Sequence, residues 1–598
     1  MHDALPSGPS GAQQSAALAT LQNQLGLFVA REHEAQRSTM RRLWAKPVDE
    51  RVEEGRCIQG LRAEHKTDAG VWHLCCEGND SRFREGDVVR LSHGDPQSPV
   101  ADCFLHTVGD LSVDVVILKQ LGGDLAIGDS DLCLDESYLD LEKFYQEAIA
   151  ELGKSAIGRE LILPLLQGTL KSTVDVTEFE EAHDQALRDG LNDRQAEAVA
   201  NAMSCNPCWL IQGPPGTGKT RVLSWVVRNA LEQGQRVLVT SFTHRAINNL
   251  LSAVANAAPD SRRIGKVSPY PDPLLPAAVE QREYGSKLSF VRDAGGYVIG
   301  ATPFALRTSR LRGYDFDTVV IDEASQVTLP LAIMAMLAGK RFIFAGDHQQ
   351  LPPVCTSVSA TEAVALSIFG RLINRGFDTA LTITHRLNDQ LCRWPSDTFY
   401  RCELTSHPRT ANRRLALSRR GSAFSDALDP EKSTVWLAVP HRGCRTYAPE
   451  EITLVADLLG ELFSTGLDWG QIGVVVPYRR QARHLRRHLA ARTPDRRSPP
   501  ELVIDTVERM QGQEREVIVV SFTTSDEEFA LQLREFLFLP QRLNVAATRP
   551  RTKLILVGSP RLLDLAERHP DDDGLGCFMS LLQAAHRIDV TLPGELES

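Results

Sequence analysis

Short apolar runs alternate with longer amphipathic stretches, and the alternation occurs in two series. The first series predicts strands at 209–212, 236–241, 297–301, 318–322 and 341–345; the second predicts them at 434–439, 472–476, 502–506, 516–521 and 553–557. Runs such as Val319-Val320-Ile321 are apolar at every position, as strands covered on both faces are. Two successive α/β units with parallel sheets follow. Residues 50–133 read differently. Alternating runs such as Asp87-Val88-Val89-Arg90-Leu91 and Val113-Asp114-Val115-Val116-Ile117 stand between Gly and Asp turns, which predicts a small β-barrel. Residues 14–45 and 135–155 read as helices with charged faces, so the barrel is expected on a helical stalk. The expected divisions are a disordered N-terminus at 1–13, rich in Ser, Gly and Pro, and a stalk with barrel at 14–155. A first α/β unit follows at 156–356, with a helical insertion at 251–295. A second unit is expected at 357–567 and a short tail at 568–598.

Bulk properties narrow the class. The 598 residues suffice for three or four domains, and 42% hydrophobic with 24% charged residues is ordinary for a globular protein. The net charge of −11 excludes a global basic field. It leaves room for one local groove, because phosphate attraction is screened within about 10 Å. The 12 cysteines are scattered, and Cys205 with Cys208 forms the single C-x-x-C pair, so reduced structural cysteines are expected. The N-terminus lacks a basic and apolar leader pattern, and the apolar stretch at 329–338 is too short to span a bilayer. A cytoplasmic protein without a membrane partner is expected.

The chemistry concentrates at Gly213-Pro214-Pro215-Gly216-Thr217-Gly218-Lys219-Thr220, between a predicted strand and a predicted helix. Such a turn aims backbone N–H groups at a triphosphate; Lys219 reaches the β- and γ-phosphates, and the Thr220 hydroxyl ligates Mg²⁺. About a hundred residues on, Asp322 and Glu323 end a β-branched strand. In this kind of sheet the carboxyl end of a neighbouring strand faces the same crevice. Asp322 is then placed to hold Mg²⁺, and Glu323 to orient and deprotonate the attacking water.

Together with Asp322-Glu323-Ala324-Ser325-Gln326, several further segments resemble the ordered motifs of superfamily 1 helicases, in the class B branch typified by the up-frameshift RNA helicases. They are Leu191-Asn192-Asp193-Arg194-Gln195, Thr240-Ser241-Phe242-Thr243-His244, Gly346-Asp347-His348-Gln349-Gln350-Leu351-Pro352-Pro353, Thr384-His385-Arg386, Val476-Pro477-Tyr478, Thr506-Val507-Glu508-Arg509-Met510-Gln511-Gly512-Gln513-Glu514 and Arg542-Leu543-Asn544-Val545-Ala546-Ala547-Thr548-Arg549. The resemblance spans about 190–560 and implies two tandem RecA-like P-loop domains with an accessory barrel. It implies that Gln195 bonds the adenine edge, Tyr478 stacks on the base and Glu514 accepts from the ribose. It further implies that Gln349 senses the γ-phosphate while Arg386 and Arg549 reach it from the second unit. The sequence departs from the family at Glu508 and Met510, where Asp and Phe are usual, and at His385, where Tyr is usual.

The resemblance also implies strand contacts at Thr243, Thr302 and Thr506, largely without sequence preference. The partners expected are single-stranded DNA or RNA and a tailed duplex, for a monomeric ATP hydrolase moving 5′ to 3′. The alternative is a nucleic-acid-stimulated switch or remodeller without processive unwinding. The basic segment 479–497 reads either as a phosphate or subunit surface or as a solvated helix face. Glu64-His65-Lys66 fits part of a nuclease E-x-K signature, with no upstream acid placed for a metal.

Overall fold

The computed structural model describes residues 11–591 apart from 69, 80, 82, 84–85, 110, 269–271, 273, 283–287, 293–294, 312, 419–423, 493–498 and 500. The disorder expected at 1–13 falls, for residues 1–10, outside the described residues; a helix already runs over Gly11–Trp44.

The barrel is closed. Its strands follow the order Cys57–Lys66, Val71–Cys75, Ser112–Gln120, Ala101–Val108, Val88–Ser92 and Leu132–Glu136, and the last pairs back with the first. Inward positions such as Leu61, Leu74, Val89, Val113 and Val115 are fully buried, while their neighbours face outward, as period-two strands require. The barrel is pinned to its base by a buried ion pair between Arg51 of the helix Val48–Glu53 and Asp135. Arg51 also donates to the Gly94 carbonyl at 2.6 Å and to the Lys46 carbonyl at 3.1 Å.

Two helices form the stalk, Gly11–Trp44 and Glu142–Lys154. Arg37 ties them together through Asp140 at 2.9 Å and Glu142 at 2.8 Å. The stalk also reaches into the first α/β unit. Glu32, 8% exposed, accepts from the backbone N–H of Thr356 at 2.7 Å and of Ser357 at 2.9 Å. Burial pushes its carboxyl up, but these bonds and those from the Ser357 and Gln36 side chains outweigh burial and hold it below the ordinary value. Replacing Glu32 by Ala is expected to accelerate amide hydrogen exchange at Thr356 and Ser357 about tenfold or more, and unchanged exchange would show the contact to be inert.

The first unit is an eight-stranded, all-parallel sheet. Its order is Val279–Arg282, Ile264–Val267, Tyr297–Gly300, Arg236–Thr240, Thr318–Ile321, Arg341–Gly346, Cys208–Gln212 and Asp378–Ala380. Three expectations change here. The region 251–295 is not a helical insertion, because it supplies the two outermost strands at one side of the sheet, Val279–Arg282 at the edge and Ile264–Val267 next to it. The unit does not end at 356, because Asp378–Ala380 still pairs with Cys208–Gln212. The strand leading to Asp322 is not the immediate neighbour of Cys208–Gln212, because Arg341–Gly346 lies between them.

The second unit is a six-stranded parallel sheet in the order Val503–Asp505, Ile472–Val475, Arg515–Ser521, Pro550–Gly558, Thr434–Ala438 and His586–Asp589. The segment expected as a tail, 568–598, is therefore no appendage over its described residues, 568–591. Its helix Asp573–Gln583 buries Leu575, Phe578, Leu581 and Leu582, and His586–Asp589 completes the sheet edge.

Candidate active site

The phosphate turn leaves the strand Cys208–Gln212 and enters the helix Lys219–Glu232. Gly216 and Gly218 have φ of 75° and 85°, the left-handed region that glycine enters freely. Gly216 is also packed too closely for a side chain: a Cβ there would stand 2.6 Å from Thr384 Oγ1. Thr217 closes the turn by donating to the Pro214 carbonyl at 2.8 Å, and the Gly213 N–H donates to Gly346 at 2.9 Å. No side chain caps the helix Lys219–Glu232, so its first N–H groups face the turn, an arrangement that favours an anion.

Lys219 Nζ lies 3.0 Å from Glu323 and 3.7 Å from Asp322. Burial pulls the ammonium down, but Glu323 and Asp322 outweigh it and raise it above an ordinary lysine. Asp322 is pushed up to about 6, by burial first and by Glu323, against the pull of Lys219. A carboxyl raised by folding binds its proton more tightly in the native state. Between the ordinary aspartate value, about 4, and about 6, this group therefore lowers stability as pH rises. The two acids share the Lys219 ammonium, which leaves negative charge that suits a hard divalent cation at Asp322. Glu323 occupies the left-handed region at φ 51°, a strained position for this residue type that turns it out of the strand end.

The second unit closes against this turn. The His385 N–H donates to the Gly216 carbonyl at 2.8 Å, and Thr384 Oγ1 donates to Pro215 at 2.7 Å. Arg386 is held by Glu514 at 2.7 Å and donates to the Thr548 carbonyl at 3.2 Å. Arg549, 2% exposed, donates to Val545 and Gln513 carbonyls and to Gln350 Oε1 at 3.3 Å. Burial and then the Arg386 charge pull Arg549 down to about 9, still protonated at neutral pH. Among the described residues no carboxylate stands within ion-pairing distance of it. Two guanidinium groups, one without a direct ion-pair partner among the described residues, thus converge on the cleft that holds Lys219 and Glu323.

Several predicted residues take other positions. The amide joining the cleft to Arg549 is Gln350, which also donates to Asp347 at 2.8 Å; the Gln349 side chain instead bonds His348 at 3.1 Å. Spacing carries the signal, because the third residue after Asp347 turns back onto its carboxylate. Asp347 also accepts from Tyr400 at 2.7 Å, and Asn544 donates to Tyr400 at 2.9 Å and to the Gln349 carbonyl at 2.8 Å, so this network links the two units. Tyr478 packs against Phe536 and Phe529, at 5.9 and 6.3 Å between ring centres, and Thr524 donates to its hydroxyl. The aromatic ring beside the phosphate turn is His385, stacked on His407 at 4.5 Å. Burial, His407 and Arg221 keep His385 below the ordinary imidazole value. Glu514 is clasped by Arg386 and Arg551, and its carboxyl falls to about 2, because burial, which raises it, is outweighed by the two guanidinium groups. Gln195 is buried; its amide donates to the Thr217 carbonyl at 3.0 Å and accepts from Asn192 at 3.3 Å.

The candidate strand contacts all sit past carboxyl ends of strands. Thr243 follows Arg236–Thr240 and caps the helix His244–Ala257; Thr302 follows Tyr297–Gly300; Thr506 follows Val503–Asp505 and is buried. Arg307, five residues after Thr302, is committed to Glu151 of the stalk. The basic helix Arg479–Ala490 reaches the base of the barrel, where Arg483 donates to the Glu53 carbonyl at 2.9 Å; residues 493–497 of that segment lie outside the described residues.

Models of two families, each described as an AAA domain, match residues 195–356 and 364–561. The chain is 28% identical over 448 residues to the DNA replication ATP-dependent helicase/nuclease DNA2 of Gallus gallus, covering 71% of this chain and 41% of that protein. It is 26% identical over 563 residues to the DNA-binding protein SMUBP-2 of Mesocricetus auratus, covering 81% of this chain and 54% of that protein. The chain thus spans about half the length of these relatives or less. Among solved structures, the complex of Arterivirus nonstructural protein 10 (helicase) with DNA aligns over 62% of this chain and 64% of that one. Its TM-score is 0.33 at 16% identity, too loose a superposition to assign anything.

Proposed function

We propose, because this chain belongs to the superfamily 1 class B helicases, that it hydrolyses ATP in the cleft between its two sheets and uses the turnover to move along single-stranded DNA from 5′ to 3′. The observation that carries this reading is the convergence of Arg386 and Arg549 on the cleft of Lys219 and Glu323. The phosphate turn and Lys219 bind the triphosphate. Glu323 takes the proton of the attacking water. Arg386 and Arg549 meet the charge that develops on the transferred phosphoryl group, as fixed cations in a dry site do. Thr220 and Asp322 would hold Mg²⁺, which would supply charge neutralisation for the phosphates. Because the arginines come from the other unit, hydrolysis and release change what holds the units together, and the Asp347–Tyr400–Asn544 network lies on that path.

Duplexes with a single 5′ or 3′ tail test the direction: the 5′-tailed substrate is expected to be unwound, and equal or better unwinding with a 3′ tail alone overturns the polarity. ATPase rates with single-stranded DNA and RNA at one salt concentration test the sugar preference. Turnover is also expected to fall as pH drops through about 6, as Asp322 takes up its proton, with a midpoint that moves to lower pH as Mg²⁺ is raised. A midpoint indifferent to Mg²⁺ would remove Asp322 from the metal's ligands.

A further inference from the structure

The Glu64-His65-Lys66 segment has no part in the ATP cleft. It lies on the outer face of the barrel, at the end of the strand Cys57–Lys66, where the pairing with Val71–Cys75 slips between Ala63 and His65. A bulge of this kind adds one residue and re-aims its side chain; here the extra residue is Glu64. Outward positions of the partner strand supply His73 and Cys75. One ligand atom from each of Glu64, His73 and Cys75 lies within 4.8 Å of the other two.

The imidazole is already oriented. His73 Nδ1 bonds Asp114 at 2.6 Å across the next strand, and Thr107 fixes the other Asp114 oxygen at 2.5 Å. A carboxylate held on one ring nitrogen is the arrangement that sets the tautomer of a ligating histidine. The His65 ring stacks on His73 at 4.8 Å and limits its rotation. Arg62 pairs with Glu64 at 2.7 Å, the charge an incoming cation would replace. The chain's other comparable cluster among the described residues, His441 with Cys444 and Glu450, is poorer, because both ring nitrogens of His441 are taken by Ser525 and Glu451.

We infer that Glu64, His73 and Cys75 form a binding site for a zinc-class divalent cation on the outer wall of the barrel, with Asp114 as the positioning residue for His73. The donor set argues the metal's class. One thiolate, one imidazole and one carboxylate suit Zn²⁺, whereas Mg²⁺ and Ca²⁺ take oxygen. Thiolate and carboxylate together carry two negative charges, which match the ion. Ligand atoms around tetrahedral zinc stand about 3.5 Å apart, so the three side chains close by about 1 Å, within reach of rotamer adjustment at a barrel surface. Burial and the adjacent Glu64 raise the Cys75 thiol, so binding releases its proton to solvent and strengthens with pH. The ion joins the two strands across the bulge.

Co²⁺ is the probe. Chelator-treated full-length protein is titrated with Co²⁺ and followed in the visible and near-ultraviolet, then challenged with Zn²⁺. One equivalent is expected to give four-coordinate ligand-field bands and a thiolate-to-cobalt charge-transfer band, both bleached by Zn²⁺. Cys75→Ser and His73→Ala are expected to abolish the bands. Asp114→Asn is expected to weaken binding about 10- to 100-fold with the bands retained, and Cys444→Ser to change nothing. Circular dichroism checks each fold; should His73→Ala misfold, the near-isosteric Cys75→Ser decides. Absence of the bands, their survival in Cys75→Ser, or their loss in Cys444→Ser overturns the site.

Discussion

Lys219→Ala is expected to reduce strand-stimulated ATP hydrolysis by at least about 10³-fold, the loss that follows removal of a preorganised charge from a dry catalytic cleft. The side chain lies between Asp322 and Glu323, 3.7 and 3.0 Å away, so its removal has two effects. The triphosphate loses its ammonium, and Asp322 and Glu323 lose the cation they share. Single-strand binding at zero nucleotide is expected to persist, because Thr243, Thr302 and Thr506 stand on other strand ends. Retained turnover in the variant would show that the triphosphate does not bind at this turn.

The second large effect belongs to the arginines. Arg549→Ala is expected to lower kcat by about 10³-fold or more while leaving nucleotide affinity within a few fold, the signature of a cation used in the transition state. Arg549 is buried, lies beside Arg386 and makes no direct carboxylate ion pair among the described residues; Glu323 and Glu514 act on it only from a distance, so an anion entering the cleft becomes its direct partner. Arg386→Ala is expected to lose less, about 10²-fold, because Glu514 already compensates part of its charge. The double variant is expected to be no worse than about tenfold below Arg549→Ala, since residues that act as a unit are non-additive. Rate constants from single-turnover hydrolysis, with affinities measured separately, test the order. Equal losses of affinity and rate in Arg549→Ala would make it a binding residue only.

What the sequence made legible follows from where the information lies. Val319, Val320 and Ile321 are buried on both faces, so an unbroken apolar run marked their strand. Ile264–Val267 carries a glycine and a buried Lys266, and His586–Asp589 is a polar edge strand; neither has a period to detect. The phosphate turn was legible because its parts are contiguous. Gln349 and Gln350 are chemically identical neighbours, and only the tertiary contacts of their side chains, Gln350 to Asp347 and Arg549 and Gln349 to His348, tell them apart. Tyr478 and His385 are separated by a tertiary fact, the lean of the second unit on Gly216, which no local pattern encodes. The stalk contact at Glu32 joins residues 324 apart and left no trace in the sequence.

That contact reaches the backbone six residues past Gln350, on the loop that leaves the nucleotide cleft. The helix bearing Glu32 ends at the barrel, where the Trp44 indole donates to Glu136 at 2.9 Å. A pull on the barrel therefore arrives at the catalytic loop through one stiff rod. By reciprocity, whatever free energy nucleotide occupancy spends in shifting the rod is the free energy with which a displacement of the rod retunes nucleotide affinity.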